Sequence, residues 1–466
     1  MKFYDLVPTN ENVYQTFLED KIGRNPKVFK FIALINKIES SCSISLDGSW
    51  GSGKTIFVKQ VKMVLDALNE FKVKSDYSKD QEEAVKNVFI RLTDKATPVG
   101  TIKPHVCVYY DAWENDSDTD PLISLAYKIA KDFSCEYVFE DAPKIQEVVS
   151  STLKTIVSGI TNIDVNRIYD DCHFNNKLEE IEKTKSLEQT ISVMFDSLLP
   201  EHGDRLIVFI DELDRCKPTF AVKLLERIKH YFSNPKITFV FSTNILELGN
   251  TIKKMYGSDF DSDRYFDKFF DLRLSLPPID IEQYLATLGY LSYKPQIKII
   301  IRLFKIYSFS MREICRFLKI YELTNPSDRA LMNLSHSEES IQSFNILQTY
   351  ILPLLIALHM TNSKELNSFM NGNNPKPFVD LIENINDPFL DNFNISSMSA
   401  YESNEEQCLK DIITLLYDKI FTPNVYCDLR LYGNTFCTFE FDSQTVKIIT
   451  ESFTLISEFN SSIEKK

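Results

Sequence analysis

Gly48-Ser49-Trp50-Gly51-Ser52-Gly53-Lys54-Thr55 constrains this chain more than any other segment. It fits G-x-x-x-x-G-K-[ST], a loop that leads from a strand into a helix and wraps a phosphate. Glycine lets successive backbone N–H groups turn toward an anion that side chains would screen from them. Lys54 adds a cation for the β- and γ-phosphates. Thr55 offers a hydroxyl to Mg²⁺, and the following helix offers its positive end. Gly48, Ser49, Trp50, Gly51, Ser52, Gly53, Lys54, Thr55 and Ile56 are therefore the expected nucleotide-binding residues. The chain holds only 12 glycines, and three of them fall here, which argues against a chance turn.

The flanks agree with the loop. Ser43-Ile44-Ser45-Leu46 alternates as a strand does, and Phe57, Val58, Val61, Val64, Leu65 and Leu68 recur at helical spacing. A second apolar run, Leu206–Ile210, ends in Asp211 and Glu212. Strands of a parallel sheet are covered on both faces, and their carboxyl ends face the ligand. Asp211 is thus expected to hold Mg²⁺ through water, and Glu212 to take a proton from the attacking water. Ile237–Ser242 reads as a further strand, ending at Thr243-Asn244. Asn244 has two readings: it positions water beside the γ-phosphate, or it caps the helix that begins near Leu246.

Asp211-Glu212-Leu213-Asp214-Arg215-Cys216-Lys217-Pro218 resembles the second nucleotide motif of the KAP family of P-loop NTPases. The helix over Phe220–Phe232, the strand at 237–244, Tyr265–Phe270 and Leu276-Pro277-Pro278 follow in the same order. Trp50 and Tyr110-Asp111-Ala112-Trp113-Glu114 are similar as well. The resemblance spans about residues 10–325. It implies ATP and Mg²⁺ binding, a core with an additional strand, and work in bacterial conflict or signalling assemblies. Ser310–Leu318 looks like the lid-helix start of related ATPases, which makes Arg312 the candidate for the γ-phosphate, with Arg316 one turn on. A surface arginine paired with Glu313 or Glu322 explains Arg312 equally simply. Lys268, Arg273 and Arg215 are further candidates for such a charge.

Many relatives carry membrane helices between the two nucleotide motifs. Here no run approaches the ~20 apolar residues a span requires, and Ile351–Leu358, broken by Pro353, reads as a buried helix. No signal peptide is legible, so a soluble, cytoplasmic protein is expected. The 9 cysteines are scattered with no C-x-x-C pair, as reduced core residues would be. A net charge of −14 disfavours broad binding to nucleic acid while leaving a local basic strip open.

The expected fold is α/β: a P-loop core with a mostly parallel sheet, a helical lid and a small α+β C-terminal module. Its divisions are 1–278, with a helical insertion near 120–200, then 279–362 for the lid and 363–466 for a partner-binding module. Lys21–Pro26 either receives the purine or simply starts a helix, with Asn25 as cap and Pro26 in the first turn. Residues 72–104 read as a charged insertion with little periodicity, residues 362–405 as containing a linker, and Cys427–Phe441 as a hairpin. Two functions fit: an ATPase that drives an assembly, plausible in anti-phage defence, or a nucleotide-gated scaffold with negligible turnover. The partner would be a protein of an effector complex, such as a nuclease or nucleotide-modifying enzyme, or a second copy of the chain. A small-molecule kinase suits the Asp-Glu pair less well, and no N-K-x-D motif speaks for GTP.

Overall fold

An apolar run five residues long, Leu206–Ile210, can be buried only in a strand with helices on both sides. The structure, a computed structural model, describes residues 7–72, 75–93, 101–134, 199, 203–229, 234–324, 343–382, 405–422 and 453. Within them five strands form one parallel sheet: β1 (Cys42–Asp47), β2 (His105–Asp111), β3 (Arg205–Asp211), β4 (Ile237–Thr243) and β5 (Leu272–Ser275). Their order is β2-β3-β4-β1-β5, so β4 stands between the strand of the glycine loop and the strand of the acidic pair. Because all pairs are parallel, Asp47 lines up with Thr243, Ser242 with Asp211, and Asp211 with Asp111 at one end of the sheet.

Alternation along β3 divides the interior in two. Ile207 and Phe209 join Ile44, Leu46 and Val240 under α1 (Asn10–Leu18), α2 (Asn25–Asn36), α3 (Lys54–Leu68) and α4 (Lys79–Thr93). Leu206, Val208 and Ile210 join Val108, Tyr110, Phe239 and Phe241 under α5 (Pro121–Ser134), α6 (Pro218–Lys229), α7 (Ile245–Tyr256) and α8 (Ser262–Phe266). Each fully buried side chain of this kind contributes roughly 1.5–3 kcal/mol over leaving it in water. The sheet is thus anchored at its centre, and the loops at its carboxyl end rise from a rigid base.

Two local expectations change. Residues 72–104 are not aperiodic: α4 buries Val85 and Phe89, and Phe89 meets the Phe29 ring edge-on at 5.0 Å. Its start is a capping box, with Gln81 N donating to Ser78 Oγ (3.3 Å) and Ser78 N to Gln81 Oε1 (3.0 Å). The charges of its outer face hid this pattern. Asn25 does not cap α2; it is buried and donates from Nδ2 to the Phe17 carbonyl at 2.7 Å, which ties α2 to the end of α1. Pro26 does lie in the first turn.

The chain divides into two compact units, Leu6–Asp280 and, with Met1–Asp5, Ile281–Lys466. In the second, α9 (Ile281–Thr287), α10 (Pro295–Ile306) and α11 (Met311–Thr324) precede α12 (Leu352–Thr361), α13 (Ser363–Met370), α14 (Lys376–Ile382) and α15 (Glu405–Phe421). Pro353 sits in the first turn of α12, directly after a π-turn, Leu347–Ile351, whose wider spacing makes room for the ring. Ser343–Thr361 is, among the described residues, one helix long and apolar enough to cross a membrane, although no purely apolar run reaches that length. Of its most apolar stretch 72% is buried inside the protein.

Of residues 362–405, read as containing a linker, the stretch 362–382 holds α13 and α14, and 383–404 lies outside the described residues. α13 and α14 bury Leu366, Phe369, Phe378, Leu381 and Ile382, and Tyr417 of α15 donates to the Phe369 carbonyl at 2.7 Å. Asn362 marks a helix start here, its side chain accepting from Glu365 N at 3.2 Å. The division expected after 362 therefore falls between helices of one packed unit. Residues 135–198, most of the expected insertion, lie outside the described residues, as does the hairpin expected at Cys427–Phe441.

Candidate functional site

The glycine loop needs its glycines for two distinct reasons. Gly51 and Gly53 have φ of 77° and 89°, a region that L-residues avoid. At Gly48 the limit is space: a Cβ there would stand 2.8 Å from Ser52 Oγ and 3.2 Å from Lys54 Cγ. Lys54 begins α3, is 6% exposed, and donates from Nζ to the carbonyls of Gly48 (2.6 Å) and Ser49 (3.3 Å). Burial lowers its pKa, while Asp214, Asp211 and Glu212 act to keep it charged. Ile56, next after Thr55 in the first turn of α3, is buried.

Asp211 ends β3 with no exposure at all. Its Oδ2 accepts from Tyr109 Oη at 2.9 Å and its Oδ1 from Glu212 N at 3.0 Å. Burial raises its pKa, and the hydroxyls of Thr55, Ser242 and Tyr109 oppose that shift. The Ser242 hydroxyl is buried without a hydrogen bond of full geometry, so it approaches Asp211 rather than committing to it. Burial and the nearby carboxylate push the Tyr109 phenol well up, which keeps it a donor.

Glu212 adopts φ 59°, a left-handed conformation that turns the chain sharply out of β3. Burial, and next the charge of Asp211, raise its pKa to about 7. Its Oε2 is held by Arg215 Nε at 2.6 Å, across the single 3₁₀ turn Leu213–Arg215. The structure thus brings Lys54, Thr55, Asp211 and Glu212 into one cluster at the carboxyl end of the sheet.

Asp214, Thr243, Tyr109 and Arg24 make contacts here that the sequence does not announce. Asp214 accepts from Trp50 Nε1 at 2.5 Å and from Thr243 Oγ1 at 3.0 Å. Tyr109 reaches Asp211. Arg24, 2% exposed, donates from Nη1 to the Ser52 carbonyl at 3.0 Å, and burial lowers its pKa to about 10. Only Asp214 carries a signal: three residues after Asp211, one turn returns a carboxylate toward the loop. The contact of Arg24 spans 28 residues and follows no pattern.

A family model, the KAP family P-loop domain, matches residues 24–324, more than half of the 466-residue chain. The chain belongs to the KAP family. The KAP domain here is an α/β P-loop NTPase core, and the family brings nucleotide binding with it. Among solved structures, one titled "Structure of the Aeropyrum pernix ORC1 protein in complex with DNA" is similar over 98% of this chain and 95% of its own, at 14% identity and a TM-score of 0.30. A score that low carries no argument. No curated protein matches the chain.

Other candidates in the KAP domain are placed plainly. Asn244 is the cap of α7, its side chain accepting from Glu247 N at 3.3 Å. Arg273 pairs with Asp267 at 2.8 Å, and Lys268 stands 6.0 Å from the centre of the Tyr265 ring. Arg312 is exposed on α11, in the second unit. Lys217 and Arg227 pair with Asp116 and Asp120, so the basic residues near the second motif do not form one free strip.

Proposed function

We propose that this KAP-family protein binds Mg·ATP, hydrolyses it, and by that turnover drives or gates a multi-protein assembly. The observation that carries the reading is the meeting of Lys54, Thr55, Asp211 and Glu212 at the end of one sheet. The residues fit a magnesium ion: the Thr55 hydroxyl and a buried carboxylate are hard oxygen donors on one side of the loop. Mg²⁺ held there would neutralise phosphate charge, with Thr55 and Asp211 as its protein ligands. Lys54 would exchange the Gly48 and Ser49 carbonyls for phosphate oxygens. Glu212, with a pKa near the working pH, suits proton transfer from water. Ile22, buried, and Arg24, against the loop, support a purine site at Lys21–Pro26. Arg312 remains our candidate for a γ-phosphate contact.

A second reading, a nucleotide-gated scaffold with negligible turnover, draws on one observation: Arg215 already occupies the Glu212 carboxylate. Single-turnover hydrolysis separates the two. Wild type should hydrolyse bound ATP about 10²–10⁴ times faster than Glu212→Gln, the usual worth of a positioned base, while Lys54→Ala should lose nucleotide binding. Equal rates in wild type and Glu212→Gln would leave the scaffold reading. The effector partner, a cytoplasmic setting and a role in anti-phage defence rest on the family resemblance. They would lose their basis if deleting the gene left phage sensitivity of the native host unchanged.

A further inference from the structure

The chain contains two tryptophans, and both are tied to consecutive residues of one turn. Trp50, inside the glycine loop, donates its indole N–H to Asp214 Oδ2. Trp113, just beyond β2, lies 5.3 Å from the Arg215 guanidinium. Trp50 is 47% exposed, so burial of its ring does not explain its place. The bond to a carboxylate does, because such a bond is charge-assisted and directional.

The second oxygen of Asp214 accepts from Thr243 at the end of β4, and the Thr243 carbonyl accepts from Gly48 N at 3.2 Å. One buried carboxylate therefore touches the loop, belongs to the acidic turn, and holds the strand between them. The turn gives it little slack. Leu213–Arg215 is a single 3₁₀ turn, and its first residue follows Glu212 directly.

We propose that Asp214 is a positioning residue that couples the glycine loop to the acidic turn, so that loop, turn and end of β4 shift as one body. This rests on the proposed function for what enters the loop, namely nucleotide. The coupling itself belongs to the chain alone. A ligand that draws the loop inward carries Trp50 with it, Trp50 carries Asp214, and Asp214 resets Glu212.

The test uses the full chain. In a Trp113→Phe background Trp50 is the sole indole, and its quenching by acrylamide is read without nucleotide. Asp214→Ala should raise that quenching about twofold or more, as loss of the buried acceptor frees the ring; Glu212→Gln should leave it alone. In steady-state hydrolysis Trp50→Phe and Thr243→Val should each lower kcat about tenfold, the loss expected of one hydrogen bond to a carboxylate, and Asp214→Ala, which loses both bonds, by at least as much, with KM changed less than about threefold throughout. Trp50→Phe combined with Asp214→Ala should be no slower than Asp214→Ala alone. Multiplying losses, or unchanged quenching in a folded Asp214→Ala protein, would overturn the proposal. If Asp214→Ala does not fold, the Trp50→Phe and Thr243→Val pair decides the matter in the same way, because both act through Asp214. Calorimetry of wild type with Mg·ATP is run alongside: no binding there defeats the nucleotide reading, and the quenching result still decides the coupling.

Discussion

Glu212 combines three unusual conditions in one residue. Its backbone is left-handed, its carboxyl is raised to about pKa 7, and an arginine grips it. A non-glycine residue held in that conformation costs on the order of 1–3 kcal/mol, which the surrounding core must offset. The protonation state then sets a pH rule. A raised carboxyl is protonated below about pH 7 and cannot accept a proton from water, so hydrolysis should rise about tenfold between pH 6 and pH 8. Arg215 lowers this pKa against the raising effects of burial and Asp211. Arg215→Gln should therefore move the pH profile upward; a profile that stays put would show that another group limits the rate.

At the scale of elements, β2 carries a liability at the opposite end from the site. His105, its first residue, is 2% exposed with neither ring nitrogen hydrogen-bonded. Burial, and next the charge of Arg205, lower its pKa to about 4. The folded protein keeps it neutral while the unfolded chain protonates it below about 6.5. Stability is therefore full above that value and falls as the pH drops toward 4, by about 3 kcal/mol. Urea unfolding at pH 7 and pH 4.5 checks this: His105→Leu should lose clearly less stability than wild type over that range. Helix α4 offers a second check. Phe89→Ala should cost about 3–5 kcal/mol if the helix is part of the core, and near zero if it were a loose insertion.

What the sequence revealed divides along similar lines. Strands β1, β3 and β4 and helix α3 were legible because apolar period and glycine pattern speak locally. The site residues Lys54, Thr55, Asp211 and Glu212 were legible because loop chemistry demands those types at those places. α4 was missed because charges on its outer face diluted the Val85–Phe89 stripe. The links through Arg24 and Tyr109 join distant segments that no linear spacing pairs, and for Asp214 the spacing from Asp211 indicates a return toward the loop without naming Trp50 or Thr243 as its partners. The Asn, Ser, Asp and Pro of 362–405 suggest a linker by composition, yet Asn362 and Ser363 start a helix. Composition does not separate the two.

At the scale of the whole molecule, two compact units predict two thermal transitions. Mg·ATP at about a hundred times its dissociation constant adds ~2.7 kcal/mol to whatever binds it. The transition of Leu6–Asp280 should therefore rise by roughly 5–10 °C, and the other should follow only if the units unfold together. Differential scanning calorimetry with and without nucleotide decides it. A shift confined to the second transition would place binding outside the KAP sheet.

Strand order also acts as a gauge. Neighbouring strands are about 4.8 Å apart, so inserting β4 sets the strand that leads into the glycine loop and the strand that ends in the carboxylates roughly 10 Å from each other. Between them the end of β4 offers only the short side chains of Ser242 and Thr243, both fully buried. A bulky side chain at position 242, which is fully buried beside Asp211, would have to push that carboxylate aside to fit.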